Sequence, residues 1–154
     1  MRRILQLQVP ARVEHIAIAR LVVSSAASWR RELADDRIDD LKLAVSEACT
    51  NAVEANEANN PEAPVTVEVF EDDDCLEIHV SDQGGGFDPG QLSPHPPVTD
   101  PQRLNFERGL GIPLIRTLVD DVRFEPSDKG TTVCLALYGG PAEPDASIDL
   151  TADA

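Results

Sequence analysis

The alternation of apolar and polar positions divides the chain into nine elements. Residues 4–9 (Ile-Leu-Gln-Leu-Gln-Val) alternate with period two and predict a strand that stops at Pro10. From residue 13 to about residue 33 the pattern reads as a helix, with Ile16, Arg20, Val23 and Ala27 on one face and Ala17, Leu21 and Ser24 beside it. Asp35 and Asp36 are read as its end. A second helix follows, with Asp39 or Asp40 near its N-terminus, where negative charge and side-chain acceptors suit the free amides. Leu41, Ala44, Val45, Ala48, Ala52 and Val53 recur at 3,4 spacing and give it one apolar stripe. It runs to about Ala58 and is ended by Asn59, Asn60 and Pro61.

Residues 65–70 and 76–80 alternate as strands, joined by the acidic hairpin loop Glu71-Asp72-Asp73-Asp74. That loop lacks the spacing of an EF-hand and reads as a solvated turn. Residues 82–90 form a glycine-rich turn, and residues 88–105 hold five prolines with little periodicity, the signature of a lid or binding loop. A third helix is predicted over about 112–119, with Pro113 in its first turn. Strands at 122–125 and 131–138, joined by Ser127-Asp128-Lys129-Gly130, complete the pattern. The predicted class is α+β, a two-layer α/β sandwich with helices on one face of a mostly antiparallel mixed sheet. One domain over residues 1–138, with a lid at about 88–108 and an acidic, disordered tail at 139–154, is expected.

Charge narrows the function. The 154 residues carry a net charge of −15, unevenly spread. Residues 43–102 hold thirteen acids and no Lys or Arg, whereas residues 1–42 are net +2. No basic stripe is present to replace phosphate counterions, so direct nucleic-acid binding and attachment to an anionic membrane are disfavoured. No apolar run approaches the ~20 residues that span a bilayer. Cys49, Cys75 and Cys134 are odd in number and form no CxxC pair, as expected of reduced thiols in a cytoplasmic protein.

Three segments carry candidate chemistry. In Ser46-Glu47-Ala48-Cys49-Thr50-Asn51-Ala52, Glu47 and Asn51 are i and i+4 and project from one helix face. In Asp82-Gln83-Gly84-Gly85-Gly86-Phe87, a carboxylate at a strand end precedes glycines that permit close ligand approach. In Arg108-Gly109-Leu110-Gly111-Ile112-Pro113, glycines bare the backbone amides at a helix start, a site suited to anions. Taken singly, each also reads as ordinary structure: a solvent-facing Glu, a plain turn, a helix start.

Together with Lys129-Gly130-Thr131-Thr132-Val133, their order resembles the GHKL family of ATPases and kinases, over about residues 4–138. Glu47 and Asn51 match that family's N-box, Asp82, Gly84 and Gly86 its D-x-G-x-G box, Gly109 and Gly111 its second glycine box, and Gly130-Thr131 the last. Within it the chain looks most like the small bacterial anti-sigma-factor serine/threonine kinases. The resemblance implies a Bergerat-type ATP-binding fold with Mg-ATP between helices and lid. Asn51 would hold Mg²⁺. Asp82 would read the adenine amine, with Thr131 helping through a water. Gly84, Gly86, Gly109, Leu110 and Gly111 would bring backbone to the nucleotide, and Arg108 would steady the γ-phosphate. Glu47 would be the general base toward a serine hydroxyl. It also implies a STAS-domain anti-anti-sigma factor as protein substrate, an alternative sigma factor as sequestered partner, Arg20 as a partner-contacting residue, and a homodimer. The chain departs from many relatives after Asn51-Ala52: it runs Val53-Glu54-Ala55-Asn56, without their His, and Arg108 touches Gly109 directly.

Two other functions fit the same motifs. One is a nucleotide-dependent partner-switching module without efficient transfer, which retention of Glu47 disfavours. The other is the ATP-binding part of a two-component histidine kinase. His15 is followed by Ile-Ala-Ile-Ala and not by the acid expected there, and only one helix precedes the Glu47–Asn51 segment.

Overall fold

The computed structural model describes residues 1–85 and 111–139. In chain order they form β1 (Arg2–Pro10), a single 3-10 turn (Val13–His15), α1 (Ile16–Ser28), α2 (Asp35–Asn59), β2 (Pro64–Glu71), β3 (Cys75–Ser81), α3 (Gly111–Leu118), β4 (Asp121–Pro126) and β5 (Thr131–Tyr138). The strands make one sheet in the order β1-β2-β3-β5-β4. This is the α+β sandwich expected, and among the described residues the sheet is antiparallel throughout, where a mixed one was expected: every neighbouring pair is antiparallel. Two helices separate β1 from β2, so the chain returns reversed. β3 and β4 do run the same way, but β5 lies between them and is antiparallel to both.

Strand alternation sorts side chains onto two faces. Val65, Val67 and Val69 of β2, Leu76, Ile78 and Val80 of β3, and Val133, Leu135 and Leu137 of β5 all turn toward the helices and are buried. The register sets them side by side, with Val67 opposite Val80 and Ile78 opposite both Val69 and Leu135. Each such side chain, fully buried, contributes ~1.5–3 kcal/mol of hydrophobic free energy. α2 lies between α1 and α3 and presents Leu41, Ala44, Val45, Ala48, Ala52 and Val53, all buried, as its stripe predicts.

The other face of the sheet carries a polar cluster beside Phe70 and the buried Cys134 and Ala136. Glu77 accepts from Arg123 Nη2 at 3.0 Å and lies 2.9 Å from His79 Nε2, while the His79 ring packs on Phe70 at 4.5 Å. Burial raises the Glu77 pKa, but the His79 and Arg123 hydrogen bonds and the Arg123 charge outweigh it, so the carboxyl sits below its ordinary range. His79 is thereby accounted for as a packed, hydrogen-bonded side chain.

The helix boundaries differ from the sequence pattern in two places. α1 ends at Ser28, and its buried positions are Ile16, Ala19, Val23 and Ala27, so Arg20 is exposed and Leu21 is 67% exposed. Asp35 and Asp36 do not end the first helix. They form the first turn of α2, where their charge meets the unpaired amides and the positive end of the helix dipole.

Candidate functional site

The site is built around the C-terminal half of α2. Glu47, Asn51 and Ala55 stand at i, i+4 and i+8 and so share one helix face. Glu47 and Asn51 are half-buried, and among the described residues neither side chain makes a hydrogen bond or ion pair. Their polar neighbours are spent within the helix: Ser46 Oγ donates to the Lys42 carbonyl at 2.9 Å and Thr50 Oγ1 to the Ser46 carbonyl at 2.8 Å. Ser46 and Thr50 are therefore helix-bonded hydroxyls, and the groups on this stretch without a partner among the described residues are the Glu47 carboxylate and the Asn51 amide.

Ala55 turns this face toward the turn that follows β3. A Cβ at Gly84 would collide with the Ala55 carbonyl and lie 2.7 Å from Ala55 Cβ, so only glycine lets that turn seat on the helix. Asp82 stands at the strand end. Its Oδ1 accepts from Gly84 N at 2.9 Å and Thr131 N at 3.3 Å, and its own N–H donates to the Thr131 carbonyl at 3.0 Å. Desolvation pushes the Asp82 pKa up, and the two backbone hydrogen bonds only partly offset it. A Cβ at Gly130 would run into the Asp82 carbonyl, so the start of β5 is pressed against the carboxylate-bearing residue. Thr131 is 3% exposed. Gly111 opens α3, which packs on α2.

The structure brings Asp82, Gly84 and Thr131 together at the β3 exit and the start of β5, and seats that turn on Ala55 and Asn56 of α2. Asn51 and Glu47 lie one and two turns earlier on the Ala55 face of the same helix, and Gly111 starts α3. Arg20 is on the exposed side of α1, with no ion pair among the described residues. Gly86, Arg108, Gly109 and Leu110 lie outside the described residues, as do the lid at 88–108 and the tail beyond Gly139. Among the described residues no three His, Cys, Asp or Glu side chains gather as a metal cage.

Two residues escaped the sequence pattern. Asn56 is completely buried and ties the end of α2 to the Asp82 turn. Its signal was an Asn continuing the 3,4 stripe after Ala52 and Val53. Arg30 gathers the acidic hairpin at the other end of the sheet, and nothing local marked it. A cleft of about 660 Å³ opens there, lined by Met1, Arg2, Trp29, Arg30, Glu32, Glu71, Asp72 and Asp73. It is not the site, since it lies by the β2–β3 hairpin whereas Asp82 follows the opposite end of β3.

Comparison with known proteins identifies relatives of the whole domain. The histidine kinase-like ATPase domain family matches residues 9–137. The chain is 43% identical over 140 residues to the serine-protein kinase RsbW of Bacillus velezensis, covering 87% of this chain and 84% of that protein. It is 42% identical over 140 residues to RsbW of Bacillus subtilis, with the same coverage, and 38% identical over 136 residues to RsbW of Listeria monocytogenes, covering 86% and 85%. Among solved structures, that of the RsbU and RsbW domains of Rv1364c from Mycobacterium tuberculosis is similar in fold, with a TM-score of 0.60 and 20% identity. The match covers 93% of this chain and 34% of that one.

Proposed function

The chain belongs to the histidine kinase-like ATPase family, among the RsbW serine-protein kinases, and on that basis we propose that it phosphorylates a STAS-domain anti-anti-sigma factor on serine and sequesters an alternative sigma factor. The observation that carries the catalytic part is the pair Glu47 and Asn51, half-buried, unpartnered among the described residues, and on the helix face that meets the Asp82 turn.

ATP is the phosphoryl donor. Asp82 accepts a hydrogen bond from the adenine amine through its carboxylate, which two backbone N–H groups already orient. Thr131, hydrogen-bonded to Asp82 through its backbone, assists at the base. Gly84, Gly86, Gly109, Leu110 and Gly111 let the main chain close on the nucleotide, and Arg108 meets the γ-phosphate. Mg²⁺ fits the donor set: Asn51 would hold it through one side-chain oxygen, a hard donor of the kind this cation takes beside phosphate and water. When bound it neutralises phosphate charge, which an acidic protein of net charge −15 needs. Glu47 accepts the proton of the incoming serine hydroxyl as its Oγ forms a bond to the γ-phosphorus. The bond from that phosphorus to the bridging oxygen breaks, and ADP leaves.

Arg20, exposed on α1, is the proposed contact for the protein partners, and two copies associate as a homodimer. The three unpaired, buried cysteines support a cytoplasmic setting. No helix among the described residues is long and apolar enough to cross a membrane.

The test is incubation with Mg-ATP and a STAS-domain protein from the same organism, read as phosphoserine by mass spectrometry. Wild type transfers phosphate and Asn51→Ala loses Mg-dependent ATP binding. Sigma-factor binding without any phosphoserine would leave partner switching standing and overturn the kinase.

A further inference from the structure

Asn56 is one of two buried polar side chains among the described residues, the other being Thr131. A buried amide must find partners, and Asn56 finds three, all backbone. Its Nδ2 donates to the Ala63 carbonyl at 2.9 Å and the Pro64 carbonyl at 3.3 Å, which holds the chain where it leaves α2 for β2. Its Oδ1 accepts from Gln83 N at 2.7 Å. The first two bonds would serve to close a helix end. The third and shortest does not: it crosses to the residue beside Asp82.

The surroundings make that bond consequential. The Asp82 turn touches two bodies. On one side it is bonded to the start of β5, through Asp82 N to Thr131 O, and to the β4–β5 turn, through Gly85 N to Lys129 O at 3.2 Å. On the other it rests on α2, through Gly84 against Ala55 and Gln83 against Asn56. The β5 bonds fix the height of Asp82 along the sheet. The Asn56 bond is the one side-chain tether, among the described residues, between the turn and the helix that carries Glu47 and Asn51. It falls in the Val53-Glu54-Ala55-Asn56 run where this chain departs from the His-containing pattern of many relatives.

We propose that Asn56 is a positioning residue for nucleotide recognition: it tethers the Asp82 turn to the end of α2, so that the carboxylate, oriented locally by the Gly84 and Thr131 N–H groups, is already held in place against the helix when the base's exocyclic amine arrives. The inference rests on the assignment of Asp82 to the adenine amine. Preorganising an acceptor spares the cost of ordering it on binding, so the tether acts on affinity for the amine and not on the transfer step.

The experiment compares ATP with purine riboside triphosphate, which differs by lacking the amine. Affinities are measured with Mg²⁺ for wild type, Asn56→Ala, Asp82→Asn and Val53→Ala, the last a buried α2 residue outside the site. A hydrogen bond to a charged group gives wild type a preference for ATP of about tenfold or more. Asn56→Ala brings that ratio close to one and raises the KM for ATP about tenfold, with turnover at saturating ATP and affinity for the amine-less analogue unchanged. Val53→Ala lowers stability yet keeps the ratio. Gln83→Pro, which removes the N–H that reaches Asn56 and also restricts the backbone at residue 83 and at Asp82, loses the preference, while Gln83→Ala, which retains the N–H, does not. If Asn56→Ala does not fold, a Gln83→Pro protein that keeps the preference refutes the tether. If Asp82→Asn removes the preference but Asn56→Ala and Gln83→Pro keep it, the tether is refuted and the role of Asp82 stands. Equal weakening of both nucleotides by Asn56→Ala also refutes it. If wild type has no preference, or Asp82→Asn leaves it intact, the role of Asp82 itself fails.

Discussion

Replacing Arg30 by Ala separates what holds the fold from what performs the chemistry. Arg30 sits just after α1, with its side chain only 11% exposed. Its Nε pairs with Glu32 at 2.6 Å, a carboxylate itself 12% exposed. Nη1 donates to the Asp72 carbonyl at 3.0 Å, and Nη2 to those of Asp73 at 3.3 Å and Gly139 at 3.1 Å. Glu71 lies 3.7 Å from Nη1. One guanidinium thus binds the α1 exit, the β2–β3 hairpin and the end of β5.

Removing one member of a buried ion pair costs ~3–5 kcal/mol, because the remaining charge stays desolvated. Here the Asp72 and Asp73 carbonyls are exposed and water can replace the guanidinium, so the lower end, ~3 kcal/mol, applies. For a chain of this length each kcal/mol lowers Tm by ~2–4 °C, which predicts a fall of ~6–12 °C. Urea and thermal unfolding of wild type, Arg30→Ala, Glu32→Ala and the double variant give the coupling energy, expected at ~1–3 kcal/mol. The KM for ATP, measured where all four proteins are folded, stays at the wild-type value, because Arg30 lies beside the hairpin and not the Asp82 end of β3. A destabilisation below ~1 kcal/mol, the value of an exposed pair, or additive single effects, would refute the reasoning.

Glu47→Gln keeps the shape of the α2 face but cannot take a proton; turnover falls by ~10²–10⁴-fold with ATP affinity unchanged, as rapid-quench phosphotransfer and calorimetry would record. Asp82→Asn stabilises the nucleotide-free protein at pH 7 while weakening ATP binding. The sign follows from its raised pKa: the folded state holds the proton more tightly than the unfolded chain, so ionisation of Asp82 subtracts stability as pH rises above about 3.8, and Asn removes that loss. Urea midpoints of the two proteins should therefore converge as pH falls to 4 and below. Burial pushes the thiols of Cys49 and Cys134 up to about 12 and that of Cys75 up to about 11, so a disulfide reagent at pH 8 labels all three only as fast as the protein opens. Immediate labelling of any one in the native state would contradict that burial.

What could be read in the sequence was the part set by local period and motif order. The α2 stripe is all small or β-branched residues besides Leu41, with polar residues between, and one helical face satisfies it. β2 and β3 alternate because one sheet face is buried and the other more polar, whereas in β5 Cys134 and Ala136 are buried along with Val133, Leu135 and Leu137. α1 was misread for the complementary reason. Ile-Ala-Ile-Ala-Arg-Leu-Val-Val is apolar nearly all round, so period alone selects no face. Packing chose Ala19 and Ala27, both 0% exposed, whose small side chains let α1 approach α2, and this turned Arg20 outward. Asp35 and Asp36 look like breakers by propensity, yet at a helix start their charge is favourable. Arg30 and Asn56 were hidden because their partners are distant in sequence: Arg30 to Gly139 spans 109 positions and Asn56 to Gln83 spans 27. No periodicity encodes such a bond.

The site then has a simple geometric logic. At ~1.5 Å rise per residue, Glu47, Asn51 and Asn56 are spaced along the α2 axis by ~6 Å and ~7.5 Å. The proposed proton acceptor, metal ligand and base-end tether therefore stand in chain order on one rigid element, packed between two helices and a sheet. Their relative distances are fixed by helix geometry and cannot drift independently. What can drift is the Asp82 turn, which belongs to the sheet layer. Gly84 on Ala55 and Gln83 on Asn56 are where that turn meets the helix, so register between the phosphate end and the adenine end depends on these two contacts. A substitution that loosens them should weaken discrimination of the base while leaving the Glu47–Asn51 spacing, and hence transfer at saturating ATP, as it was.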